Sequence, residues 1–176
     1  SKQLEVFPKI SVNFDISDTS GCTEHEVVFK NASSGANQYD WNFGDGNTDR
    51  ASDPRHTFVN ADTVNRQFTI RLKVSSVYGC EDSVFKTVTV FPQPKANFVA
   101  TPANQKYPDA TVVFSNNSST GPWNYSWDFG DSTTSAVKFP NDKYYETWGE
   151  YKITLIATNP NCADTMSQTI KIETPR

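Results

Sequence analysis

Apolar and polar side chains alternate along this chain in short bursts, separated by turn-forming residues. Val12, Phe14 and Ile16 fall on one face of an extended segment, and Val27 and Phe29 on one face of the next. After a polar, small-residue loop at 31–37, Tyr39, Trp41 and Phe43 alternate into Gly44-Asp45-Gly46. Phe68, Ile70, Leu72 and Val74 form the most regular segment, with Thr69, Arg71 and Lys73 between them, and residues 83–90 give another. A period of two is the signature of a strand with one face buried. No window of about ten residues keeps the 3.6-residue spacing of an amphipathic helix. The pattern predicts an all-β chain of short strands and turns.

The pattern occurs twice. Trp41-Asn42-Phe43-Gly44-Asp45-Gly46 returns as Trp127-Asp128-Phe129-Gly130-Asp131-Ser132. Val112-Val113-Phe114 mirrors Val27-Val28-Phe29, and Tyr151, Ile153, Leu155 and Ala157 mirror Phe68 to Val74. Each copy is near the lower size at which one core sustains a fold. Trp41, Phe43, Trp127 and Phe129 are therefore expected in the cores, and Gly44 and Gly130 in tight turns. Val6-Phe7-Pro8 recurs as Val90-Phe91-Pro92, where a last strand runs through prolines into the next first strand. By that logic residues 1–9 read as the tail of an earlier repeat and its linker. The first sandwich then covers 10–91, a linker with Pro92 and Pro94 covers 92–95, and the second sandwich covers 96–173. The chain reads as a window on a longer array.

These residues resemble the PKD (polycystic kidney disease) domain. The matching stretches are Tyr39 through Gly46, His56-Thr57-Phe58 and Phe68 through Val74 in the first half. In the second they are residues 125–131, 144–151 and Thr154-Leu155. Ser132 departs from the usual last glycine of the turn, and Trp148 stands where the family often has proline. The resemblance implies two tandem Ig-like β-sandwiches joined by a short Pro-containing linker. It also implies a setting like that of PKD repeats in bacterial secreted and cell-surface proteins, such as Bacteroidota adhesins and the accessory repeats of secreted hydrolases.

Composition narrows the chemistry. Aromatic residues make up 13% of the 176 residues and net charge is −4, with both signs mixed along the chain. No basic face or run is present, so nucleic acid and anionic membranes are not expected partners. No apolar run is long enough for a membrane helix. The two histidines, His25 and His56, do not recur in the second half, where Lys143 stands in the place of His56. Neither Gly-x-Ser-x-Gly nor His-Glu-x-x-His occurs, so the reading is non-enzymatic, with no catalytic residues and no cofactor.

Three kinds of residue remain as candidate sites. Asp45, Asn47 and Asp49 imitate the start of a calcium loop, but Arg50 stands at its glycine place and His56 at its bidentate glutamate place. A polar turn is the favoured reading, with a structural calcium held open because some PKD domains of secreted collagenases are thought to bind it. Cysteines number three. Cys22 and Cys80 are expected to bond within the first domain, leaving Cys162 unpaired; the alternative is three thiols in a reducing compartment. Trp123 aligns with Asn37 and Trp148 with inserted sequence, so the common fold demands neither; with Tyr144 and Tyr107 they are candidates for ligand binding as well as for packing loops.

The function expected is that of a non-catalytic, extracellular or cell-surface segment. It would be a monomer whose tandem domains act as spacers and adhesive protein-interaction modules. Its partners would be neighbouring repeats of its own chain, cell-surface proteins or polysaccharide. The alternative is a carbohydrate- or substrate-binding accessory module of a secreted polysaccharide- or protein-degrading enzyme. Exposure of Trp123 and Trp148 together would favour the alternative, and burial of both would favour the spacer.

Overall fold

A computed structural model describes residues 9–175, and the expected tail strand at 4–7 lies outside them. The chain divides into two compact units at Pro92 and Gln93. In the first, the strands are β1 (Phe14–Ile16), β2 (Ser20–Cys22), β3 (His25–Asn31), β4 (Gln38–Asn42), β5 (Thr48–Asp49), β6 (Arg55–Phe58), β7 (Arg66–Ser75) and β8 (Glu81–Phe91). They form a three-stranded sheet, β1-β3-β6, and a five-stranded one, β2-β8-β7-β4-β5. Pairing is antiparallel except for β2, which runs parallel to the end of β8.

The second unit repeats this plan with β9 (Phe98–Thr101), β10 (Asn104–Lys106), β11 (Thr111–Asn116), β12 (Asn124–Asp128), β13 (Thr134–Ser135), β14 (Lys143–Tyr144), β15 (Gly149–Thr158) and β16 (Ala163–Glu173). Its sheets are β9-β11-β14 and β10-β16-β15-β12-β13, with β10 parallel to β16. The described residues contain no helix, so none is available to cross a membrane. The fold is all-β in both units, as the alternating pattern predicts, and Ig-like, as the resemblance implies.

Each unit closes on its own core. Phe14, Phe29, Trp41, Phe58, Ile70 and Leu72 are all fully buried in the first, and Trp127, Val112, Ile153 and Leu155 in the second. The alternating residues of β7 and β15 supply the central layer because every second side chain points inward. Rings meet edge-to-face, with Phe14 and Trp41 centroids 5.0 Å apart and Phe98 and Trp127 5.1 Å apart, the offset geometry that aromatic quadrupoles favour. Both tryptophans place their indole N–H on a loop carbonyl, Trp41 on Ala51 and Trp127 on Val137, each at 3.0 Å. That bond satisfies a polar group which burial would otherwise penalise by about 1–3 kcal/mol.

Candidate functional site

The repeated turn is built the same way twice. Phe43 N–H donates to Asn47 O and Phe129 N–H to Thr133 O, both at 3.1 Å, closing the loop after β4 and after β12. Asn42 Oδ1 accepts from Gly44 N (2.9 Å), as Asp128 Oδ1 does from Gly130 N (2.8 Å). Gly44 and Gly130 each have φ of +79°, and a Cβ on either would sit 2.6 Å from Thr69 O or 2.8 Å from Lys152 O. The backbone of the neighbouring strand leaves room for hydrogen only. The last position differs, with Gly46 at φ +99° and Ser132 at φ +72°.

The aspartate between those positions closes the turn and reaches across the sandwich. Asp45 Oδ1 accepts from Asn47 N (3.0 Å), and its Oδ2 accepts from Asn47 Nδ2 (3.1 Å) and from His56 Nε2 (2.7 Å). The His56 ring stacks on Phe43 at 4.1 Å and 4°. In the second unit Asp131 Oδ1 accepts from Thr133 N and Oγ1, while Lys143 Nζ lies 2.8 Å from Oδ2 and 5.5 Å from the Phe129 ring centre. Burial pushes both carboxyls up, but the bonds from His56 and Asn47, or from Lys143 and Thr133, outweigh it and hold them below the usual 3.8.

These contacts bear on the calcium reading. Asp49 Oδ1 accepts from Ala51 N at 2.8 Å, so it too faces a protein donor. Among the described residues no group of three or more His, Cys, Asp or Glu is placed to hold a metal ion. A cation at Asp45 Oδ2 would compete with the His56 imidazole. Asp45, Asn47 and Asp49 are engaged in the hydrogen bonds that close the turn.

The cysteines are arranged differently from the expected pairing. Cys80 is a free thiol, and Cys22 and Cys162 are disulfide-bonded. A Cys22–Cys80 bond is ruled out by β8. Cys80 immediately precedes that strand, whereas Cys22 pairs in β2 with Phe91 at its far end. Eleven residues of strand hold the two ends roughly 30 Å apart, several times the Cα separation of a disulfide. Cys162, expected to be unpaired, is one of the two bonded residues.

The unshared aromatics separate. Trp123 is buried at 8% exposure, its Nε1 donating to Ser119 O (2.9 Å) and Oγ (3.2 Å). Gly121 makes the room for it, since a Cβ there would lie 2.3 Å from the indole. Trp123 therefore packs a loop and is not available as a platform. Trp148 is 56% exposed and Tyr144 46%. Tyr107, half-buried, joins them, its ring meeting Trp148 at 6.3 Å and 77°. The nearby Tyr107 hydroxyl, with burial and neighbouring acidic groups adding to its effect, raises the Tyr144 phenol above its ordinary value. Trp123 and Trp148 are not exposed together, and of the four candidate aromatics Tyr107, Tyr144 and Trp148 lie at one place while Trp123 is buried.

The PKD-domain family model matches residues 5–92 and again 89–174. The chain belongs to the PKD-domain family. Solved structures of similar architecture include the PKD1 domain of Vibrio anguillarum Epp, 22% identical, covering 49% of this chain and 99% of that one with a TM-score of 0.40. The PKD1 domain of the Vibrio cholerae metalloprotease PrtV is 24% identical, covering 46% and 94% with a TM-score of 0.36. Carbohydrate-binding modules of a β-sandwich superfamily are 14% identical, covering 96% and 86% with a TM-score of 0.43. PKD domains are as a rule non-catalytic extracellular modules, and the two units here are two of them.

Proposed function

We propose that the two PKD domains serve as a spacer and interaction segment of a larger secreted or cell-surface protein, without catalysis of their own. What carries this reading is how the shared motif is used. Trp41, Phe43, Trp127 and Phe129 are all core, and Asp45 and Asp131 are engaged in closing the turns. The part of the sequence that is repeated builds the fold, so what repetition supplies is length and rigidity. Each domain has its own core, and Pro92 and Pro94 stiffen the connection between them. Such an array would position neighbouring repeats of its own chain, or hold a partner at a set distance from a surface.

The test is replacement in the full-length parent protein. Exchanging both domains for two unrelated β-sandwiches of the same length should preserve its surface display, while deleting them should not. Loss of surface display on exchange would overturn the spacer reading, whereas loss of ligand binding alone would not.

A further inference from the structure

The second domain carries a surface feature that the first lacks at every position. Strand register defines the equivalences. Tyr107 donates its N–H to Glu173 O at 3.0 Å, as Thr23 does to Phe91 O, so Tyr107 stands where the first domain has Thr23. Tyr144 faces Thr111 as Thr57 faces Glu26, so it replaces Thr57. Trp148 lies in the short connection before β15, where the first domain has a longer loop fastened by Asn60, which bonds Thr23 Oγ1, Val64 O and Val90 O. One domain closes this end with a buried amide, and the other leaves an aromatic cluster open to solvent.

Beside the cluster lies a groove of about 460 Å³ lined by Lys106, Trp148, Glu150, Lys171 and Glu173. Its charges alternate in a lattice fixed by the sheet. Glu150 lies opposite Lys171 across β15 and β16, and Lys106 lies opposite Glu173 across β16 and β10. Lys171 and Glu173 point to the same face, with Nζ and Oε1 3.6 Å apart. Two ammonium and two carboxylate groups cancel, so the groove attracts neither a polyanion nor a polycation. They nonetheless offer donors and acceptors in close alternation, which suits a ligand dense in hydroxyl groups. In the first domain the corresponding residues are Cys22, Gln67, Thr89 and Phe91, and the lattice is absent.

We propose that Trp148, steadied by Tyr107, and the adjoining Lys106–Glu150–Lys171–Glu173 groove bind a neutral oligosaccharide of equatorially substituted pyranose rings. The indole face takes the C–H face of one sugar ring, and the lysines and glutamates bond hydroxyls of that ring and its neighbour. The Tyr107 ring, set at 77° to the indole, holds it in place, which lowers the entropy lost on binding. This activity is additional to spacing, and the spacer reading stands or falls separately from it.

Trp148 also supplies the readout, because Trp41, Trp123 and Trp127 are buried and it is the exposed tryptophan. The intact chain is titrated with cellohexaose, xylohexaose and chitohexaose at millimolar concentrations while intrinsic fluorescence is followed, with decaproline as a peptide probe. A saturable change is expected with at least one hexaose, weakened about tenfold or more in Trp148→Ala. It should be partly kept in Trp148→Phe and unchanged in Phe139→Ala, an exposed aromatic elsewhere on the domain. Affinity electrophoresis in matching soluble polysaccharide reads the same comparison without the fluorophore, and thermal melts confirm that each variant is folded. No response to any hexaose, a response that survives Trp148→Ala, or a response to decaproline alone would overturn the proposal.

Discussion

His56 Nε2 stands 2.7 Å from Asp45 Oδ2, and both side chains are largely shielded from water, at 14% and 16% exposure. The pair links β6 to the turn after β4, and so fastens one sheet of the first domain to the other. Lys143 and Asp131 make the same link in the second domain. The position therefore demands a cationic or donor group above the ring of Phe43 or Phe129, and imidazole and ammonium both meet the demand. His56→Ala should destabilise the first domain by about 1–3 kcal/mol, since it strands a shielded carboxylate and removes a stacked ring. His56→Lys should cost less than about 1 kcal/mol, because the equivalent lysine is already accommodated at the same register. Urea denaturation of the three proteins checks both values.

The same carboxylate gives the first domain a defined acid response. Hydrogen bonds hold Asp45 below 3.8 against the opposing effect of burial. A group whose folded pKa lies below its unfolded value adds stability above the unfolded value and loses it as pH falls through the folded one. The contribution should thus be complete at neutral pH and disappear on acidification below about pH 4. Asp45→Asn should give a protein whose first-domain stability is lower at neutral pH and falls less steeply between about pH 5 and 2. Denaturation midpoints across that range compare the two slopes, and parallel slopes would contradict this account.

The turn glycines divide by cause. At Gly46 an added Cβ meets nothing within 4 Å, so only the positive φ opposes a side chain; at Gly44 it would strike Thr69 O at 2.6 Å. Gly46→Ala should therefore cost about 1 kcal/mol and Gly44→Ala substantially more, about 3 kcal/mol. Ser132 already carries the Gly46-type strain at φ +72°. Ser132→Gly should stabilise the second domain by roughly 0.5–1 kcal/mol as relief of that strain exceeds the added chain entropy. Thermal unfolding monitored by circular dichroism orders the three variants.

Burial predicts opposite outcomes for the two unshared tryptophans. Trp123→Ala should cost about 3–5 kcal/mol, a large-to-small change inside the second core with the Ser119 bond lost as well. Trp148→Ala, at an exposed site, should stay within about 0.5 kcal/mol of the parent. Acrylamide quenching should lose its accessible component in Trp148→Ala alone. Equal stability losses in both variants would mean that Trp148 is packed and not displayed.

The sequence made the architecture legible because strand alternation and repetition are local, countable signals. Trp41 and Trp127 were readable as core from their mutual match, and Asp45 as a turn residue from its glycine neighbours. Trp123 was not readable, since its burial depends on a loop that folds over it at Ser119 and on the space left by Gly121. The cysteine arrangement was hidden for a related reason. It turns on β2, a strand of three residues with no alternation to detect, whose parallel pairing places Cys22 at the end of β8 remote from Cys80. Tyr107 was legible as a candidate beside Trp148 and Tyr144, but its ring contact with Trp148 depends on β10, which is equally short.

Cys80 offers a chemical check on that topology. It is a free, half-buried thiol in the Ser76–Cys80 turn, where its backbone N–H is bonded by Ser76 Oγ at 3.3 Å. Under denaturing, non-reducing conditions a thiol-specific reagent should label Cys80 and leave Cys22 and Cys162 unlabelled, with both becoming reactive after reduction. Cys80→Ser should abolish the label while changing stability by less than about 1 kcal/mol, because a small polar side chain fits a turn that already holds serine. Cys22→Ser should instead leave the protein with an additional reactive thiol, the one released from its bond. Peptide mapping of the labelled chain decides the matter. Labelling of Cys162 in the unreduced native sequence, or protection of Cys80, would restore the pairing that the length of β8 forbids.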